Sequence, residues 1–236
     1  MDLQLLSIVR SLETFLFNTG SATDTRVVID VGCGQQPFRE LFRSENVVYC
    51  GLEIPIAPDS FGMSLSSNDL VIYGGAQLPL QDCQVDIVLL VEVLEHVRDR
   101  ETLLGEIYRV LRPGGSVFAT LPWSARVHFE PHDFIRLTPF GISTMFKEKE
   151  FCLTDIKARG STCAVLANKL LISLVDSVSS RHPAALLYFL LSPITLLLHM
   201  IGYVSIILGI SNRLDPLGYT VTASKRSGTS VIPHER

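Results

Sequence analysis

The chain has 236 residues, of which 47% are hydrophobic and 19% charged, and its mean hydropathy is +0.33. This composition excludes a disordered protein, and the length leaves little room for two full domains around separate cores. Lys and Arg number 20 against 24 Asp and Glu, so the net charge of −4 argues against a broad basic surface and no nucleic-acid partner is expected.

The amino-terminal segment, residues 1–25, is predicted to be a leading helix and a polar break. Apolar residues recur at helical spacing from Leu3 to Phe17, and Asp2 stands where a signal peptide would carry positive charge. The five cysteines form no C-x-x-C pair, which argues against a disulfide framework or a zinc finger. These features favour a reducing, cytoplasmic location.

The next part of the chain alternates short apolar runs, typical of buried strands, with segments typical of helices. Strands are predicted at Arg26–Val31, Val47–Leu52, Leu70–Tyr73, Val85–Val91 and Ser116–Leu121. Helices are predicted at Pro37–Phe42 and at Glu101–Leu111, the second ending at the turn Pro113-Gly114-Gly115. This alternation predicts an α/β fold with a mainly parallel sheet, whose ligands bind at the carboxyl ends of the strands.

The last third of the chain changes in composition. A helix over Phe140–Lys149 and a strand over Phe151–Ile156 precede a helix over Thr162–Val178. Ala184 to Ile210 then contains no Asp, Glu, Lys or Arg, and Gly218–Ser224 returns to strand-like alternation. We expect a core over 26–160, a hydrophobic helical insertion over 161–212, and a final strand with a polar tail over 213–236.

A glycine turn follows the first predicted strand and suggests a nucleotide site. Asp30-Val31-Gly32-Cys33-Gly34 places two glycines where the chain must turn sharply, and Glu53 follows Gly34 by nineteen residues, where a carboxylate can accept bonds from both ribose hydroxyls. Pro37 occupies the third glycine position of the dinucleotide fingerprint, which argues against NAD. The alternative is a tight turn followed by a surface Glu.

Four ordered motifs extend this pattern. They read D-V-G-C-G from Asp30, L-P from Leu78, E-V-L-E-H from Glu92 and R-V-L-R-P-G-G from Arg109. In order and spacing the chain resembles the class I S-adenosylmethionine-dependent methyltransferases from about Val27 to Leu121. The resemblance implies a Rossmann-like, doubly wound, seven-stranded sheet with an antiparallel last strand. It also implies S-adenosylmethionine as the cofactor.

The resemblance also implies where the cofactor would bind. The glycine turn would lie beneath the methionine part, Glu53 would hold the ribose, residues 76–78 would lie against the adenine, and the fourth strand end would border the sulfonium. The implied cofactor-binding residues are Asp30, Gly32, Cys33, Gly34, Glu53, Ala76, Gln77, Leu78, Val91, Glu92 and His96. Relatives often carry an acid where this chain has Gly75, and Gln77 is the substitute.

Residues 123–136 concentrate histidines, acids, arginines and aromatics after the fifth predicted strand. If the methyl acceptor is a hydroxyl, a histidine is the economical general base, and His132 and His128 are the candidates, with Asp133 beside them. The stretch from Pro131 also resembles the P-H-D-F-x-R-x-T pattern of a subset of these methyltransferases, often associated with surface-polysaccharide and lipid-linked sugar pathways. The alternative is that His132 and Asp133 cap the next helix and Arg136 pairs with an acid.

Glu92, Glu95 and His96 are spaced i, i+3 and i+4, so on a helix they could offer ligands to a divalent ion. Similar arrangements bind magnesium or manganese in some O-methyltransferases. The same letters recur in relatives that resemble this chain and are not metal enzymes, so no metal is assigned.

The uncharged run has two interpretations. A single membrane span would separate the strand near Phe151 from the final strand, and Pro193 divides the run into pieces that are short for a span. We therefore expect an insertion in the bilayer interface, which makes the protein peripheral to a membrane. The alternative is a lid or a dimer interface of a soluble protein.

The sequence thus predicts methyl transfer, most simply to oxygen of a sugar, lipid-linked glycan or isoprenoid-type acceptor at a membrane. A soluble small-molecule methyltransferase whose apolar insertion is a lid or dimer interface is the first alternative. A scaffold that keeps the cofactor fold without catalysis is the second, although such a protein would be expected to lose the intact glycine turn or Glu53. The sequence does not identify the acceptor or the oligomeric state.

Overall fold

The computed structural model describes residues 2–19, 24–55, 69–75, 77–182 and 184–227. Seven strands form one sheet in the order β3-β2-β1-β4-β5-β7-β6. The strands are β1 (Arg26–Val31), β2 (Val47–Glu53), β3 (Leu70–Ile72), β4 (Val85–Val91), β5 (Leu111–Pro122), β6 (Cys152–Arg159) and β7 (Gly218–Ser224). The first five run parallel where their registers are defined, and β5-β7-β6 are antiparallel, which confirms the expected fold class.

Six α-helices and two short 3-10 helices occur in the described residues. They are α1 (Leu3–Thr19), 3-10 helices at Arg39–Phe42 and Leu94–His96, α2 (Arg100–Val110), α3 (Pro139–Glu148), α4 (Thr162–Ser179), α5 (Ala184–Leu190) and α6 (Ser192–Ile207). Capping explains several boundaries. The Asp99 side chain accepts from the Thr102 N–H at the start of α2, and the Thr138 hydroxyl accepts from the Gly141 N–H at the start of α3.

Two predicted boundaries are wrong. The helix expected over Pro37–Phe42 is only a 3-10 helix over Arg39–Phe42, and it follows Gln36, whose positive φ of 55° is not helical. β5 begins at Leu111, before the expected turn. Gly114 donates to the Lys225 carbonyl and Lys225 donates to the Gly115 carbonyl, and this long-range pairing extends the strand.

The chain divides into two compact units. Unit 1 comprises Met1–Leu16, Pro122–Arg126 and Lys157–Thr220, and unit 2 comprises Phe17–Leu121, Val127–Ile156 and Val221–Arg236. In unit 2 the central strands are apolar on both faces, as parallel strands require, and Val88, Leu89 and Phe118 are fully buried.

Unit 1 has a small core and a large exposed apolar surface. Its core is formed by Leu3, Ala164, Val165, Ala167, Ile206 and Leu217. Helices α5 and α6 meet near Pro193, and their outward side chains include Leu190 at 67% and Leu197 at 57% exposure. Among the described helices, α4 alone is long and apolar enough to cross a membrane, a judgement of length and composition only.

Candidate active site

The carboxyl ends of β1 and β2 meet at a glycine turn. Asp30 pairs with Gly51 in the parallel register, so the segments that follow the two strands emerge side by side. Gly32 has φ +67° and a Cβ there would lie 2.7 Å from the Val93 side chain, so both conformation and space demand glycine. Glycine at this position therefore lets the Val93 side chain pack directly against the backbone of the turn.

The Glu53 carboxylate is hydrogen-bonded to the glycine turn. One carboxylate oxygen accepts from the Gly34 N–H at 2.8 Å, and the other accepts from the Ile54 N–H at 2.9 Å. The residue is only 5% exposed. Each oxygen has a second lone pair, so the carboxylate is fixed in place and can accept further hydrogen bonds from a diol.

Asp30 lies under the turn and is not exposed at it. The Tyr49 hydroxyl donates to Asp30 Oδ2 at 2.7 Å, and Asp30 is 2% exposed. Burial raises the pKa of Asp30 to about 7, although the Tyr49 bond opposes the shift, and the Glu53 charge adds to it. Burial also raises the pKa of the neighbouring Cys33 thiol. Both residues therefore support the turn from the protein interior.

The segment after β3 gives less support to the implied adenine contacts. Ala76 lies outside the described residues, Gln77 is exposed, and Leu78 is 2% exposed. The Leu78 N–H donates to Glu106, and its carbonyl accepts from Arg109. A surface depression next to Gln77 is also lined by Gln84. Because Gln84 precedes β4, this depression is at the amino end of that strand, away from the expected ligand edge.

Glu92 sits at the carboxyl end of β4 and is bound to the end of β5. Its backbone N–H donates to the Thr120 carbonyl at 3.1 Å, and the Thr120 hydroxyl donates to Glu92 Oε1 at 2.8 Å. Glu92 has φ 55°, and the following 3-10 helix contains only Leu94–His96. The expected helix face shared by Glu92, Glu95 and His96 is therefore wrong, since Glu92 lies outside the helix. Val91, the strand residue before it, is half-buried.

The loop after β5 contains an ordered acid–histidine–arginine group. Asp133 Oδ2 accepts from the His128 backbone N–H and lies 3.1 Å from His128 Nδ1. Arg136 binds both oxygens of Asp133, at 2.5 and 2.7 Å. These Arg136 bonds, together with the His128 backbone N–H and charge, lower the pKa of Asp133 to about 2 despite partial burial. Asp133 is thus held as a carboxylate that orients His128.

The same loop is fastened to the E-V-L-E-H segment. The Phe134 N–H donates to the Glu95 carbonyl at 2.8 Å, and His96 Nδ1 donates to the His132 carbonyl at 2.7 Å. The His96 ring meets the His128 ring edge-on, with centroids 4.8 Å apart. The structure therefore brings His96, His128 and Asp133 together, whereas the described bond of His132 to this group uses its backbone carbonyl.

Three contributors to the turn and the β4–β5 edge were missed by the sequence analysis. Tyr49 and Thr120 hold Asp30 and Glu92, and the Gln36 amide donates to the Asp69 carbonyl at 3.1 Å. The contact of the Tyr49 hydroxyl with the buried Asp30 carboxylate can be predicted only when the register of the two strands is known. In the structure, the register of β1 with β2 pairs Val28 with Tyr49. The sequence contains no cue to that pairing beyond the apolar pattern.

Comparison with known proteins identifies similar chains. Residues 29–119 match the family model described as a methyltransferase domain. A protein of Mycolicibacterium smegmatis named a probable S-adenosylmethionine-dependent methyltransferase is 32% identical over 116 residues, 49% of this chain and 44% of that protein. The ubiquinone biosynthesis O-methyltransferase of Pseudomonas savastanoi pv. phaseolicola is 32% identical over 99 residues, 39% of this chain and 42% of that protein. The chain thus spans less than half the length of these curated relatives.

A solved structure shows the same fold over nearly the whole chain. A SAM-dependent methyltransferase from Archaeoglobus fulgidus covers 94% of this chain and 94% of its own, with a TM-score of 0.56 and 16% sequence identity. At that identity the likeness shows the fold alone.

Proposed function

We propose that the whole chain catalyses methyl transfer from S-adenosylmethionine. Residues 29–119 match the methyltransferase-domain model, and the relative from Mycolicibacterium smegmatis is named a probable S-adenosylmethionine-dependent methyltransferase. The observation that carries this proposal is the glycine turn fixed to the Glu53 carboxylate at the carboxyl edge of β1 and β2. Such an edge is where parallel α/β sheets bind nucleotides.

The residues at this edge fit the cofactor. Glu53 would accept bonds from the ribose hydroxyls, and Gly32 and Gly34 would let the methionine part approach the backbone. Asp30 and Cys33 would support the turn from the protein interior. The adenine would be bordered by Ala76, Gln77 and Leu78. Val91, Glu92 and His96 would face the sulfonium. When bound, the sulfonium supplies an already electrophilic methyl group, so alignment and exclusion of water are the protein's main tasks.

The acceptor is proposed to be a hydroxyl. Its oxygen forms a bond to the methyl carbon as the carbon–sulfur bond breaks, S-adenosylhomocysteine leaves, and the hydroxyl proton passes to a base. His132 and His128 are the two proton acceptors the loop offers, and Asp133 positions His128. The relative from Pseudomonas, named as an O-methyltransferase of ubiquinone biosynthesis, supports an oxygen acceptor.

The acceptor is further proposed to be lipid-borne, which would make the protein cytoplasmic and peripheral to a membrane. Support comes from α5 and α6 in unit 1, where the run Ala184 to Ile210 has no charged residue while many of its apolar side chains are exposed. A soluble protein rarely leaves a patch of this kind uncovered. The second candidate, favoured by the same exposure, is a soluble small-molecule methyltransferase that covers these helices with a second copy.

The test of the main proposal uses the purified full chain in calorimetry and in a transfer assay. S-adenosylmethionine and S-adenosylhomocysteine should bind and NAD should not. Labelled methyl should move from S-adenosylmethionine to lipid extracts in preference to aqueous extracts. Cofactor binding without transfer to either extract would favour the non-catalytic scaffold, and failure to bind either sulfur compound would overturn the proposal.

The proposed role of His132 as the general base is tested by substitution. His132→Ala should lower turnover about 100-fold or more, as loss of a general base does, with cofactor affinity nearly unchanged. Unchanged turnover would move the role to His128, and His128→Ala would then be assayed in the same way.

A further inference from the structure

Glu95 is a buried carboxylate with no hydrogen-bond partner. The residue is 0% exposed, and neither side-chain oxygen has a donor within reach in the described part of the chain. Buried carboxylates are normally paired, hydrogen-bonded or coordinated to a metal, because an uncompensated one costs several kcal/mol, about 3–5 when a partner is removed. Within the described residues, no hydrogen-bond donor therefore offsets the burial of the Glu95 carboxylate.

His96 presents the Nε2 atom of its ring to this carboxylate. Glu95 Oε1 lies 3.6 Å from His96 Nε2. His96 Nδ1 is bonded to the His132 carbonyl, so it must carry a proton, and a neutral imidazole protonated at Nδ1 has its lone pair on Nε2. Two electron-pair donors therefore point at a common space.

A third ligand comes from the loop after β5. One ligand atom each from Glu95, His96 and His128 lie within 4.8 Å of one another. Asp133 orients the His128 ring through Nδ1, and the His132 carbonyl orients the His96 ring in the same way. Metal-binding histidines are commonly held by such a carboxylate or carbonyl on the other ring nitrogen.

We infer that Glu95, His96 and His128 form a binding site for one divalent transition-metal ion of the Zn²⁺ type. Two imidazoles and one carboxylate are a recurrent donor set for Zn²⁺ and Co²⁺, whereas Mg²⁺ and Ca²⁺ prefer oxygen ligands alone. With metal–ligand bonds of about 2.1 Å, tetrahedral ligands lie about 3.4 Å apart. The Glu95–His96 pair at 3.6 Å is close to this spacing, and His128, whose ligand atom lies within 4.8 Å of the other two, needs a movement of at most about 1.4 Å.

This ligand set differs from the one that sequence spacing offered. Glu92 is outside the 3-10 helix, and one of its oxygens already accepts from Thr120. His128 takes its place, which joins the loop to the end of β4 through the metal. A metal at His128 would leave His132 as the proton acceptor, so the inference goes beyond methyl transfer and does not depend on it.

Metal binding by the full chain, freed of metal with a chelator, tests the inference directly. Co²⁺ should bind with one ion per chain and develop visible d–d absorption of nitrogen and oxygen ligation, and Zn²⁺ should displace it. Glu95→Gln should weaken Co²⁺ binding at least about tenfold, since even outer-sphere changes cost 10–100-fold. Glu92→Gln and His132→Ala are the matched controls and should bind Co²⁺ as the parent does.

Circular dichroism of each variant checks that it is folded. Asp133→Asn is a second test variant, which leaves the three ligands in place. We expect it to weaken Co²⁺ binding about tenfold by releasing His128. A parent protein that binds no Co²⁺ or Zn²⁺, or a folded Glu95→Gln chain that binds as the parent does, overturns the inference. Absorption typical of thiolate ligation would place the ion at a cysteine and overturn it too. Methyl transfer without metal would leave the proposed function standing.

Discussion

The carboxyl groups of Glu53, Asp133 and Asp30 are bound by different neighbouring groups. Glu53 is fixed by two backbone N–H groups, Asp133 by Arg136, and Asp30 by one tyrosine hydroxyl. The arginine lowers the pKa of Asp133 to about 2, whereas burial raises that of Asp30 to about 7. Asp133 is therefore charged at neutral pH, while Asp30 is close to its titration point.

Glu53→Gln should weaken S-adenosylmethionine binding by about 10- to 100-fold, the equivalent of roughly 1.5–3 kcal/mol for hydrogen bonds to a charged group. The amide keeps the size of the side chain but loses the charge and one acceptor oxygen. Glu45→Gln, an exposed acid eight residues earlier, is the control. Calorimetric affinities that match the parent in both variants would remove Glu53 from the ribose site.

Asp30 should make stability depend on pH. Because its folded pKa of about 7 lies above the ordinary value of 3.8, the folded chain holds this proton more tightly than the unfolded chain. Its contribution to the free energy of unfolding is therefore full below about pH 4 and is lost as the pH rises to about 7. Urea unfolding of Asp30→Asn should show a weaker decline over this range than the parent, whereas Asp24→Asn should not; equal slopes in all three would contradict the assignment.

At the scale of elements, long-range contacts decide where strands and helices end. β5 extends to Leu111 because Gly114 and Gly115 pair with Lys225, more than a hundred residues away in sequence. The crossing of α4 and α6 in unit 1 depends on one small residue, since a Cβ at Gly202 would lie 2.8 Å from Ala164 Cα. The Ser161 and Ser205 hydroxyls, 2.7 Å apart, bond across the same pair of segments.

Gly202→Ala should destabilise unit 1 by about 1–3 kcal/mol, because the added methyl meets backbone that cannot give way cheaply. Gly105→Ala in α2 is the matched control, since nothing lies within 4 Å of its Cβ position, and it should add about 0.5–1 kcal/mol. The single tryptophan, Trp123, lies in unit 1, so its fluorescence during urea unfolding reports on Gly202→Ala, and circular dichroism during the same unfolding measures both variants. A Gly202→Ala chain as stable as the parent would show that the helices separate without cost.

At the scale of the whole molecule, the two units differ in what they leave exposed. Unit 2 contains the glycine turn, Glu53 and the part of the loop after β5 that holds His128 and Asp133, all built from buried or hydrogen-bonded groups. Unit 1 contains α5 and α6, whose outward faces are apolar. Exposed apolar surfaces of this kind are typical of regions that contact lipid or another protein.

Replacing both Leu190 and Leu197 by Glu should release the protein from phospholipid vesicles in a flotation assay, because charges would have to enter the apolar layer. Both side chains are more than half exposed, so the variant should keep its circular dichroism spectrum. Leu41→Glu with Val48→Glu, two exposed apolar positions in unit 2, carries the same added charge as a control. A parent that never floats, but dimerises in sedimentation, would assign these helices to a second copy.

The sequence by itself determined the α/β class and the central strands, and it carried the resemblance to methyltransferases, because apolar period and glycine position are local properties of the chain. It also identified Gly32, Gly34 and Glu53 as a candidate cofactor site, which stays a prediction. The adjacency of Tyr49 to Asp30 and of Thr120 to Glu92 depended on strand register. The meeting of Glu95, His96 and His128 depended on a loop folding back onto a 3-10 helix. Such pairings join residues far apart in sequence, so only the tertiary structure could decide them.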